Sequence, residues 1–294
     1  MAKLFDEAFL KRLESLHLVS RRVLAGRQRA ERRSKKVGSG LEFADHRDYS
    51  PGDDVRYLDW TVYARMEKML LRLHEEEEDI TIYLLVDCSR SMALGLSENS
   101  KFEQAARVAA ALAYIGLANL DRVCIVPFGA ELMEHLPATR GKQQIFKVFS
   151  FLEAINPAGA THLQDCLKKF VHQHKRRGLA VVLSDFYDPR GYKEALSYLR
   201  YHNYEPFMIH LFDSEELNPN LRGDLSIVDC ETGVTREITV TPRLLSRYRR
   251  LHDAFCENLE AFCRKHSVSY IRAPIQLTFD DIVLRIFRAG GFVK

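Results

Sequence analysis

The sequence contains no apolar run of the roughly 18 to 20 residues needed to cross a bilayer as a helix. A secretory pattern is also missing at the start, because Asp6, Glu7 and Glu14 interrupt it before an apolar segment develops. These two absences lead to the expectation of a cytoplasmic protein without a membrane span. The six cysteines, Cys88, Cys124, Cys166, Cys230, Cys256 and Cys263, are scattered and form no Cys-x-x-Cys pair. Such spacing argues against a zinc site or disulfide framework and for reduced thiols. No sign of charge dominates, with a formal net charge of +3, so whole-molecule electrostatics single out no partner. Catalytic signatures are lacking too. Arg140-Gly141-Lys142 has no upstream glycine to make a phosphate-binding loop, and neither a Gly-x-Ser-x-Gly elbow nor a His-Glu-x-x-His pair occurs. No histidine is placed by motif as a base for Ser89 or Ser91. The expectation is a protein that is not an enzyme.

What is present suits a globular α/β chain. Its 294 residues are 46% hydrophobic and 28% charged, enough for one large domain with a small appendage. Phe5, Phe9, Leu13 and Leu16 recur at helical spacing and predict an amphipathic helix over Lys3 to Leu24. Arg21 to Lys36 is strongly basic, and Asp48 to Asp54 is dense in turn residues. From Ile80 onwards strand and helix patterns alternate. Strands are expected at Ile80–Val86, Arg122–Phe128, Glu131–Leu136, Leu179–Leu183, Pro206–Phe212 and Ser267–Ile271. Helices are expected at Lys101–Leu120, Gln143–Ile155, from Thr161, at Tyr192–His202, from Pro242 to about His266, and at Asp280–Arg288. Repeated β-α units predict a doubly wound, mostly parallel sheet of the Rossmann type. Asp224 to Val240 reads as a hairpin. The predicted organisation is 1–40 as an N-terminal helix and basic segment, and 41–79 as a small β-rich segment packing with the 222–241 hairpin. Residues 80–221 and 242–294 would form the main domain.

The buried-strand run Ile80 to Val86 ends in Asp87, followed by Ser89 and Ser91. Ligands in open parallel sheets bind outside the carboxyl ends of strands. Asp185 and Thr161 fall at two further such ends. Three hydroxyls with two carboxylates suit a hard cation such as Mg2+, Mn2+ or Ca2+, and they leave a coordination position open for a carboxylate from another molecule.

These residues carry a family resemblance. Asp87-Cys-Ser89-Arg-Ser91, Gly159-Ala-Thr161 and Ser184-Asp185 resemble the metal-ion-dependent adhesion site of von Willebrand factor A domains. Gly40-Leu-Glu-Phe, the stretch from Arg47 to Arg56, Asp59-Trp60 and Ala64-Arg65 resemble the signature of the bacterial domain-of-unknown-function 58 family, which carries such a domain. The resemblance covers roughly residues 30 to 215. It implies a von Willebrand factor A-like fold and a metal site made by Asp87, Ser89, Ser91, Thr161 and Asp185. It also implies a protein partner, since relatives are associated with MoxR-type AAA+ ATPases as adaptors or chaperone-like cofactors. Many relatives carry transmembrane helices before this region, so the chain looks like a short soluble member.

Other charged segments have plainer readings. Asp53, Asp54, Arg56 and Asp59 are expected to form a buried salt-bridge network that docks this segment on the sheet, with His46 a surface or packing residue. Glu75 to Asp79 reads as a solvated face or a protected strand edge. The resulting expectation is a protein-binding module that captures a partner's Asp or Glu through a bound cation. The alternatives are a Mg2+-dependent phosphohydrolase and, through the basic segment, a nucleic-acid-binding protein.

Overall fold

The computed structural model describes residues 4–24, 33–34, 42–77, 81–93, 99–217 and 219–289. Two compact units divide the chain: Met1–Ser20 with Ile80–Lys294, and Arg21–Asp79. In chain order the first elements are α1 (Glu7–Leu24), β1 (Arg33–Ser34), β2 (Glu42–Asp48), α2 (Trp60–Met66) and β3 (Leu70–Glu77). Next come β4 (Thr81–Asp87), α3 (Arg90–Ala93), α4 (Lys101–Ala118), β5 (Arg122–Phe128), β6 (Leu136–Thr139), α5 (Ile145–Glu153) and α6 (Leu163–Gln173). The remainder is β7 (Leu179–Ser184), α7 (Lys193–Tyr201), β8 (Glu205–Phe212), α8 (Ser214–Leu217), β9 (Gly223–Val228), β10 (Thr235–Val240), α9 (Pro242–Lys265), β11 (Ser269–Pro274) and α10 (Phe279–Ala289).

The larger unit is built on a six-stranded sheet of order β11-β8-β7-β4-β5-β6. All pairings in it are parallel except β5 with β6. The central strands are apolar on both faces because each face is covered. Alternation then sorts their side chains into two cores. Leu84, Val86, Val123, Ile125, Val181, Leu183 and Ile209 join the helices α1, α4, α5 and α10 on one side. Tyr83, Leu85, Cys124, Val126, Ala180, Val182 and Met208 join α6, α7 and α9 on the other. This is the mostly parallel, doubly wound arrangement expected from the β-α alternation, of Rossmann-like type. Phe5, Phe9, Leu13 and Leu16 of the N-terminal segment are buried in the first of these cores. Phe5 stacks on Phe149 at 4.5 Å between ring centroids, and the Arg12 guanidinium donates to Asp280. The start of α1 is therefore part of the sheet's helical layer.

Two strands start at least two residues later than expected. Residues 131–135 form a reversal after Gly129 rather than a strand. The Gly129 N–H donates to the Glu131 carbonyl and the Met133 N–H to that of Pro127, so β6 starts only at Leu136. Ser267 has φ +51°, the left-handed residue that commonly ends a helix, so β11 starts two residues later at Ser269. The hairpin β9–β10 forms a two-stranded sheet of its own within the larger unit. All six cysteines are free, as the scattered spacing implied.

The smaller unit holds the antiparallel sheet β1-β3-β2 and the helix α2. Asp59 begins α2, accepting from the N–H groups of Thr61 and Val62, and also binds Arg72 at 2.9 Å and His46 at 3.0 Å. These partners, Arg72 first, hold its carboxyl well below the usual range. The expected network resolves into separate local pairs, because Asp53 binds Arg47 and Asp54 binds Arg56 at more exposed positions. Most of the basic stretch, residues 25–32 and 35–36, lies outside the described residues, as do Glu78 and Asp79 of the acidic run.

Candidate functional site

Strand order reverses at β4, which lies between β5 and β7. Crevices at such switch points are where open α/β sheets bind ligands. Asp87 ends β4, and Ser184 ends the neighbouring β7 with Asp185 directly after it. Two loops from separate parts of the chain close over this end. The Arg90 N–H donates to the Gly159 carbonyl at 2.9 Å and the Ala158 N–H to the Cys88 carbonyl at 2.9 Å. Gly159 takes φ +78°, which a side chain would oppose. Hydrogen bonding thus brings Asp87, Ser89 and Ser91 beside Thr161.

The contacts centre on Asp87, which is fully buried. Its Oδ1 accepts from the Ser89 N–H at 2.9 Å and from the Thr161 hydroxyl at 3.5 Å. Its Oδ2 accepts from the Ser184 hydroxyl at 2.5 Å. The Ser89 and Ser91 hydroxyls lie 3.0 Å apart and share a hydrogen bond. Among the described residues no Lys, Arg or His forms an ion pair with Asp87. Burial, and then the neighbouring Asp185 carboxylate, push its pKa upwards. Asp185, also fully buried, has a different environment. Lys101 Nζ donates to its Oδ2 at 3.0 Å and lies 2.9 Å from Glu216 Oε1. Burial opposes the lysine's charge, but the two carboxylates outweigh it and raise its pKa. At Glu216 burial outweighs the lysine, so that carboxyl is raised as well.

All five residues singled out from sequence therefore lie at the carboxyl end of β4 and β7 or in the loops joined to it. Four further residues take part: Ser184, quoted from sequence only as the neighbour of Asp185, and Lys101, Glu216 and Glu231, which sequence reasoning missed. Ser184 supports Asp87, Lys101 holds Asp185 and is itself held by Glu216, and Glu231 accepts from the N–H of Thr161 at 3.3 Å. One of them left a trace in the sequence. Lys101 follows the N-cap Ser100 of an alanine-rich helix, where a cation opposes the helix dipole unless carboxylates face it. Phe186, directly after Asp185, is buried with φ +58°, a strain of the kind that accumulates at functional sites.

Among the described residues no group of three or more His, Cys, Asp or Glu is gathered as a metal ligand set. Hydroxyls outnumber carboxylates around Asp87, so any ion held there must be one that accepts neutral oxygen donors and keeps water. None of the described helices is long and apolar enough to cross a membrane.

Comparison with known proteins gives relatives without assigned function. An uncharacterized protein of Mycobacterium tuberculosis is 27% identical over 248 residues, which are 83% of this chain and 78% of the relative. An uncharacterized protein of Mycobacterium avium is 36% identical over 70 residues, 24% of this chain and 41% of that one. Among solved structures, the conserved hypothetical protein BatB from Bacteroides thetaiotaomicron matches with a TM-score of 0.47 and 14% identity, covering 72% of this chain and 99% of that one. An aerotolerance-related membrane protein from Bacteroides fragilis matches with a TM-score of 0.46 and 15% identity, covering 73% and 100%. The chain belongs to the family described as protein of unknown function DUF58, whose model matches residues 45–255.

Proposed function

We propose that this protein is a binding module of the von Willebrand factor A type, which captures an acidic side chain of a protein partner through a bound divalent cation. The observation that carries the reading is Asp87: a fully buried carboxylate at the switch point, bonded by hydroxyls and, among the described residues, without a cationic side chain paired to it. A buried carboxylate in that state costs several kcal/mol unless a positive charge accompanies it. Ser89, Ser91 and Thr161 would hold Mg2+ or Mn2+ by their hydroxyls, with Asp87 and Asp185 holding it directly or through water. The bound ion would supply a positive centre for an incoming carboxylate.

The protein's own residues set the charge balance. Lys101 offsets Asp185, so the donor set is poor in free negative charge. A cation in such a set keeps much of its charge for an external Asp or Glu. Hydrolytic two-metal sites use several carboxylates instead, which supports binding over catalysis. The family resemblance adds the partner's class, a MoxR-type AAA+ ATPase or its client.

Calorimetric titration of Mg2+ and Mn2+ into wild type and Asp87→Ala tests the reading, followed by a metal-dependent pull-down of a MoxR-type ATPase. Binding to wild type, lost in Asp87→Ala and abolished by chelator in the pull-down, is the expected result. Equal metal affinity and equal capture in the two proteins would refute it, and Mg2+-dependent phosphatase activity lost in Asp87→Ala would support the hydrolase instead.

A further inference from the structure

The turn between β9 and β10 delivers an acidic side chain to Thr161. Glu231 Oε2 accepts from the Thr161 backbone N–H at 3.3 Å, and Oε1 from the Thr161 hydroxyl at 3.4 Å. The two positions lie 70 residues apart in the chain, so tertiary folding makes this contact. The same hydroxyl reaches Asp87 at 3.5 Å. Thr161 thus stands between a buried carboxylate and one brought in from the hairpin.

The turn holds Glu231 in a defined place. Asp229 Oδ1 accepts from the N–H groups of Glu231 at 2.9 Å and Thr232 at 2.8 Å. The Gly233 N–H donates to the Asp229 carbonyl at 2.9 Å, with Gly233 at φ +72°. By contrast, the strands behind the turn are lightly anchored. They form a sheet of two, and Val240 is the one buried residue in them. Two-stranded hairpins are marginally stable by themselves. A stiff tip on a lightly held ribbon can withdraw as a body.

Charge at this point favours a cation. Glu231, half-buried, brings a second carboxylate to the Thr161 hydroxyl that also reaches Asp87, and like charges at close range repel. Lys101 engages Asp185 and Glu216, whereas among the described residues no ion pair reaches Glu231 or Asp87.

We propose that Glu231 occupies, from within the chain, the place that a partner's Asp or Glu takes, so that the 223–240 hairpin gates the ion site. This rests on the function proposed above and names its regulation. In the closed form Glu231 is the acidic group facing the cation. An external acidic side chain gains entry by displacing it, and the released hairpin reports the exchange.

The test uses Mn2+ as the metal and acetate as a free carboxylate, on the full chain and its Glu231→Ala, Glu231→Gln and Asp87→Ala variants. Affinity is read by calorimetry and hairpin order by hydrogen–deuterium exchange. Mn2+ should slow exchange at residues 229–234 of wild type. Both Glu231 variants should lose that protection and bind Mn2+ roughly 10–100-fold more weakly. Acetate should restore Mn2+ affinity to Glu231→Ala while leaving wild type unchanged, because there the place is taken. Suppose Mn2+ binding is lost in Asp87→Ala, yet affinity and hairpin exchange are unchanged in both Glu231 variants. The gate is then refuted while the proposed function stands. Absence of Mn2+ binding to wild type overturns both.

Discussion

Lys101 is the position where the structure makes its most quantitative demand. Its side chain is 3% exposed, with Nζ 3.0 Å from Asp185 and 2.9 Å from Glu216. Replacing it with methionine keeps the apolar stem and removes the charge, which leaves Asp185 uncompensated at 1% exposure. At an effective dielectric of 20, unit charges about 3 Å apart attract by about 5 kcal/mol. The cost of burying the ammonium offsets part of that, and breaking one side of a buried pair costs about 3–5 kcal/mol in practice. Glu216 keeps some access to water, so most of the loss arises at Asp185. For a unit of this size each kcal/mol moves Tm by roughly 2–4 °C, and Lys101→Met should melt about 6–20 °C below wild type. The assay is thermal and urea unfolding in EDTA at pH 7. The double variant Lys101→Met with Asp185→Asn should recover a large part of the loss, because the stranded charge is gone. A single variant within about 1 kcal/mol of wild type, or a double variant no better than the single, would refute the buried ion pair.

Ser184→Ala removes the donor to Asp87 Oδ2. It should cost about 1.5–3 kcal/mol in urea unfolding without metal, the range for a hydrogen bond to a buried charge. His210 is fully buried; that burial, aided by the charge on Arg272, lowers its pKa from 6.5 to about 3. The unfolded state then binds more protons, so stability from this group is lost as pH falls below 6.5. Between pH 6.5 and pH 5 the loss is about 2 kcal/mol, and His210→Gln should flatten the acid limb of unfolding stability by that amount. Gly178→Ala would place its Cβ 2.0 Å from the Thr81 carbonyl oxygen. The backbone must shift where β7 meets β4, at a cost of about 1–3 kcal/mol or more, read by denaturant unfolding.

Much of the fold was legible because its signals are local. The apolar runs of β4, β5, β7 and β8 are too short to be helices of ordinary length, with β-branched residues adding to the signal in β4, β5 and β7, and helical spacing in between marks α4, α6 and α7. Strand and helix periods alone imply a parallel sheet covered on both faces. Part of the candidate site was readable for the same reason: Asp87, Ser89 and Ser91 follow one strand end and Asp185 follows another, whereas Thr161, expected at a third such end, lies in the loop between α5 and α6 and reaches Asp87 only through tertiary contact. Limits such as the start of β6 were not readable, since a hydrogen-bonded reversal after Gly129 decides them.

By itself, then, the sequence determined the alternation of elements, the two-faced burial of the central strands and the residue types available at their carboxyl ends. Only tertiary structure decided which of those ends became neighbours, placing β4 beside β7 so that Ser184 serves Asp87. It also sank Lys101 between Asp185 and Glu216 and turned Glu231 onto Thr161, across 84, 115 and 70 residues of chain respectively for the Asp185, Glu216 and Glu231 contacts. Periodicity extends only over neighbouring turns of chain. A buried charge finds its partner through packing and the cost of leaving it unpaired, and no local pattern records that choice.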